Sequence, residues 1–134
     1  MHSVNKTFKA SLIITSESVS AGQIQSILGI VGDELLEKGT KLSDRPGSKA
    51  FKHSVWKLKN AVKDEQTIDQ HIEVLVKQME QKKTELSELA ESCLIEIWCF
   101  VSFENSQCGF ALQHQLLTRI AALPCDLVFD VYGP

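Results

Sequence analysis

The stretch from Leu94 to Phe103, Leu-Ile-Glu-Ile-Trp-Cys-Phe-Val-Ser-Phe, restricts the fold more than any other part of the chain. It is β-branched and aromatic, holds no Gly or Pro, and is too short to cross a membrane. Ile95, Ile97, Cys99, Val101 and Phe103 form one apolar alternate set, while Leu94, Glu96, Trp98, Phe100 and Ser102 form a mixed one. Side chains alternate between faces along a strand. This one therefore reads as central in a sheet, with one face in a core and the other half-wet.

The rest of the chain supplies partners for it. Phe8, Ala10, Leu12 and Ile14 alternate with Lys9, Ser11 and Ile13 as a first strand. Ser18 or Ser20 offers an N-cap, Ile24, Ile27 and Leu28 make a helical stripe, and Gly29 stands where a left-handed C-cap is expected. Residues 30–52 lack a period and read as a long basic loop, with turns at Lys38-Gly39-Thr40 and Arg45-Pro46-Gly47. His53 to Asn60 alternates as a second strand, on which Lys57 and Lys59 share a face and would protect an edge.

From Asp64 or Thr67 to about Glu91 the apolar positions Ile68, Ile72, Leu75, Met79, Leu86 and Leu89 keep a 4-3 spacing broken by Lys82. That predicts one helix ~36 Å long at ~1.5 Å per residue, packed across the sheet. Its His71 is expected to be solvated. A third helix carries Leu112, Leu116, Leu117, Ile120 and Leu123 and stops at Pro124. Asp126 to Tyr132 is the last strand, with Leu127, Phe129 and Val131 toward the core.

This order predicts an α+β fold in a single domain over residues 1–134. The expected arrangement is a ferredoxin-like split β-α-β, a four-stranded sheet in the order 4-1-3-2 with helices packed on one face. Helical crossovers would join strands one and two, and three and four. A Rossmann-like parallel sheet fits less well, since strands covered on both faces are apolar throughout.

Composition excludes several classes. Net charge is −3, but residues 38–65 hold eight basic and three acidic groups, against four basic and ten acidic in 66–134. That polarity can steer a partner or be balanced within the fold. The polar start, Met1 to Thr7, carries no apolar h-region, and no apolar run spans a membrane. Cys93, Cys99, Cys108 and Cys125 form no Cys-x-x-Cys pair, so reduced thiols and a cytoplasmic location are expected.

No phosphate-binding glycine loop, dinucleotide fingerprint or nucleophile elbow is present, and His2, His53, His71 and His114 lack metal-ligand spacing. We therefore expect no enzyme, no cofactor and no metal. The informative feature is the sheet face turned away from the helices, expected to carry Lys9, Ser11, Ile13, Val55, Lys57, Lys59, Glu96, Trp98, Phe100, Val128, Asp130 and Tyr132. Aromatics ringed by charges of both signs suit a protein-binding patch. Nucleic acid is disfavoured, because the central strand carries Glu96 rather than a basic aromatic motif and the chain is acidic. The contact residues expected are Lys57, Lys59, Trp98 and Tyr132, joined by Lys41 and Arg45 from the basic loop.

Short pieces along the chain resemble the bacterial domain of unknown function family numbered 4279. They are Ile27-Leu28-Gly29, Lys38-Gly39-Thr40 with Arg45-Pro46-Gly47, Trp56, the Leu-rich helix, the apolar third strand, Cys108-Gly109-Phe110-x-Leu112 and Asp130-Val131-Tyr132. The resemblance implies a compact α+β domain with no established activity, some members of which look like immunity proteins encoded beside secreted toxins. The leading expectation is thus a non-enzymatic immunity protein that covers a cognate toxin. A small-ligand or regulatory sensor domain, with a pocket between residues 30–52 and the sheet, is the alternative. A homodimer through the long helix or an edge strand is compatible with either.

Overall fold

A computed structural model describes residues 6–60, 62–63 and 66–134. The start at 1–5 and the expected helix start at Asp64 lie outside the described residues. In chain order the elements are β1 (Lys6–Ser16), α1 (Ala21–Leu28), β2 (Glu34–Leu36), β3 (Ser54–Lys59), α2 (Ile68–Glu80), α3 (Lys83–Leu89), β4 (Leu94–Phe103), α4 (His114–Ala121) and β5 (Asp126–Tyr132).

The sheet has five strands in the order β2-β3-β1-β4-β5. β1 is antiparallel to both β3 and β4, β2 is antiparallel to β3, and β4 and β5 run parallel. The α+β class and the helices on one face hold. The four-stranded ferredoxin-like order does not: the last strand lies beside β4, and β3 lies beside β1. The reason lies in β2. The strand parallel to β1 that follows α1 is this three-residue piece, and β3 then folds back between the two. Three residues are too few to show a period, so 30–52 reads as loop. β2 also flanks Val55 to Lys57 of β3, so Lys57 protects no edge there.

α1 packs on β3, α2 on β1 and β4, α3 on α1, and α4 on α2. Leu12, Ile14, Trp56, Ile97 and Cys99 meet Ile24, Leu28, Ile72, Leu75, Met79, Leu86 and Leu89 in the core between sheet and helices. Each such aliphatic side chain contributes about 1.5–3 kcal/mol when fully buried. Ser20 caps α1, accepting from the Gln23 N–H at 3.1 Å, and Gly29 ends it at φ 73°. A left-handed residue there favours glycine, as the sequence suggests.

The long helix is two helices. The chain leaves helical geometry at Lys82 (φ −124°, ψ 29°), where the apolar seam is interrupted, and restarts as α3. Both pieces stay buried, since Leu86 and Leu89 pack beside Met79 in the same core. A bend thus lets the seam continue around α1 without burying an ammonium group. The underside of β5 also departs from expectation. Leu127 is half-buried, but Phe129 and Val131 are 38% and 51% exposed. β5 is the outermost strand, so the helix layer covers little of it.

Candidate functional site

Among the described residues, the side chains on the helix-free side of the sheet are exposed or half-buried. Its register sets side chains in rows. Glu34, Lys57, Ile13, Glu96 and Asp126 lie side by side across all five strands. The next row is Lys59, Ser11, Trp98 and Val128, and the third is Lys9, Phe100 and Asp130. Each of these residues is exposed or half-buried, while their strand neighbours Ala10, Leu12, Trp56, Ile97 and Cys99 are buried on the helix side. Strand alternation alone produces this division.

The face is electrically polarised. Lys9, Lys57 and Lys59 stand toward β3, and Glu96, Asp126 and Asp130 toward β5. Glu34 approaches both lysines of β3, at 4.0 Å for Lys57 and 3.5 Å for Lys59. Trp98, 37% exposed, donates from its indole nitrogen to Glu96 Oε1 at 3.3 Å. Phe100 and Tyr132 meet at 5.4 Å between centroids, tilted by 40°, and Tyr132 is 54% exposed. Such rings present large apolar area at low entropic cost, with polar tips that orient a partner.

A cleft of about 470 Å³ opens at one end of this face, lined by Lys9, Ser11, Lys57, Lys59, Asn60, Val62, His71 and Phe100 among others. His71 is buried rather than solvated, and its Nδ1 lies 3.3 Å from Asn60 Oδ1. The Asn60 amide in turn donates to the His71 carbonyl at 2.8 Å. His71 sits three residues after Ile68 and four before Leu75, so the helical spacing already placed it on the buried stripe. None of the residues 30–52 lines this cleft, so it is a different place from the expected pocket between 30–52 and the sheet.

The structure brings Lys57, Lys59, Trp98 and Tyr132 onto one surface. Phe100 and Lys9 belong to it equally. Lys41 and Arg45 do not join them. They sit in an exposed excursion held by the Lys41–Ala50 bridge and by Ser43 N to Ser48 Oγ at 2.9 Å. That excursion is rooted at the far end of the sheet, where Lys38 N donates to Ser54 Oγ (2.9 Å) and Lys38 Nζ to the Glu17 carbonyl (3.1 Å).

Two of the four cysteines, Cys99 and Cys125, are held in the thiol form. Burial pushes the Cys99 thiol up to about 12, and burial together with Asp126 pushes Cys125 up to about 11. Both thiols are protonated at neutral pH and poor nucleophiles. Among the described residues no three His, Cys, Asp or Glu side chains converge as metal ligands would, and no helix is long and apolar enough to cross a membrane.

A family model described as a domain of unknown function (DUF4279) matches residues 6–134. No curated protein and no solved structure matches the chain.

Proposed function

The chain belongs to the DUF4279 family, which brings no activity with it, so from the surface we propose a non-enzymatic protein-binding role. The open sheet face is the docking surface. The partner class we favour is a bacterial toxin, which the protein neutralises in the cytoplasm by covering its active site. One observation carries this reading: Trp98, Phe100 and Tyr132 lie exposed or half-buried on one face, Trp98 and Phe100 on β4 beside the lysines of β1 and β3, and Tyr132 on the carboxylate-bearing edge strand β5. Solvent-facing aromatics in a charged frame are the usual anchors of protein interfaces.

Co-expression with the product of the neighbouring reading frame tests it. Growth should be rescued and a complex should survive gel filtration, and Trp98→Ala should weaken that complex at least ~30-fold, as expected for a central aromatic anchor. Absence of both rescue and complex abandons the toxin reading. The 470 Å³ cleft supports the second reading, a small-ligand sensor, because its volume matches ligand pockets of ~300–1,000 Å³. A metabolite that co-purifies and is lost on Asn60→Ala would favour it.

A further inference from the structure

The two edges of the sheet are protected differently. β2 closes one edge with three residues, and so short a strand offers little to pair with. β5 closes the other with seven, Asp-Leu-Val-Phe-Asp-Val-Tyr, without Lys, Pro or Gly. Among the described residues β4 alone pairs with it. Its helix-side row is thinly covered, and Phe110, itself 43% exposed, stacks on Phe129 with centroids 5.5 Å apart. A long, partly apolar edge of this kind is a template for another strand.

We infer that a second copy of the chain pairs with β5, antiparallel about a two-fold axis at Phe129, joining two sheets into one. The register follows from charge. In a continuous sheet, directly paired side chains share a face, so a two-fold normal to the sheet must pass beside one residue and its own mate. Centring on Val128 would set Asp126 against Asp130 of the second copy, and centring on Asp130 would set that carboxylate against itself. Like charges directly opposite destabilise a sheet. Centring on Leu127 or Val131 leaves part of the strand without a mate.

Only Phe129 as centre uses all seven residues and opposes no two acids. On the helix side Phe129 meets Phe129, and Leu127 meets Val131. On the open side Val128 meets Asp130, and Asp126 meets Tyr132, whose hydroxyl can donate to the carboxylate. The seam is ~23 Å long and, with side chains on both faces, ~10 Å high, or ~230 Å² per copy in projection. This is below the ~800 Å² of a standard interface, so the dimer is weak and concentration-dependent.

Sedimentation velocity across a concentration series tests the pairing. Wild-type protein should move from its 14.9 kDa chain mass toward twice that value as concentration rises. Val128→Asp places an acid opposite Asp130 twice per dimer and should raise the dissociation constant about tenfold. Val128→Lys places a cation there and should lower it by about as much. Circular dichroism checks that both fold. Tyr132→Lys, opposite Asp126 at a more exposed position, should tighten the dimer likewise if the Val128 variants do not fold. A wild type that stays at monomer mass up to its solubility limit overturns the inference. So does a dimer that acid and base at position 128 shift in the same direction.

Discussion

Gly32 lies against the face of the largest buried side chain. A Cβ built there would stand 2.6 Å from Trp56 Nε1, and Trp56 is fully buried. The backbone has little room to retreat, because Gly32 N donates to Gln25 Oε1 at 2.9 Å and so ties the segment to α1. Gly32→Ala should therefore cost about 1–3 kcal/mol, read as a lower urea midpoint with an unchanged slope. Nothing in the sequence marks this glycine, since its demand comes from a ring 24 positions away in the chain. His71 differs in that its burial follows from spacing, but its polarity argued for solvent. Asn60 eases the conflict: its Oδ1 lies 3.3 Å from the imidazole Nδ1, and its amide nitrogen donates to the His71 backbone carbonyl.

Elements with a full period were legible, and short or outlying ones were not. β1 and β4 show clean alternation over 11 and 10 residues, and the ends of α1 are written in Ser20 and Gly29. β2 carries no such signal, and its position changed the strand order. The break at Lys82 was visible only as one wrong residue in the seam. Three carboxylates then fasten elements together. Glu37 accepts from the first N–H groups of α1, Ala21 at 2.7 Å and Gly22 at 3.1 Å, and these bonds hold its carboxyl below the ordinary value of 4.5. Arg119 of α4 grips Glu73 and Glu80 of α2 at 2.7 Å, and the bond from Arg119 lowers Glu80 in the same way. A carboxyl depressed in the folded state stabilises it above the unfolded pKa, and loses that effect as pH falls through the folded one. The urea midpoint should therefore decline below about pH 4.5, and Glu37→Gln should flatten part of that decline. Because both groups are substantially exposed, the effect should also shrink in high salt.

At the scale of the whole molecule, one continuous core joins every helix to the sheet. Chemical unfolding followed by tryptophan fluorescence and by far-ultraviolet circular dichroism should give coincident single transitions. Trp56 inside and Trp98 outside would report separately if the two sides of the sheet came apart at different denaturant concentrations. The open face covers only about 480 Å² for five strands ~4.8 Å apart and ~20 Å long, which makes it a small docking surface for one copy and an adequate one for two. The place of β1 between β3 and β4 has a further result during synthesis. Its most extensive neighbour, β4, leaves the ribosome roughly 80 residues later, which at ~5–20 residues per second is a delay of ~4–16 s. Throughout that interval the greasy flank of the nascent middle strand must wait for its mate, so the growing polypeptide, more than the finished protein, is where chaperones would be needed.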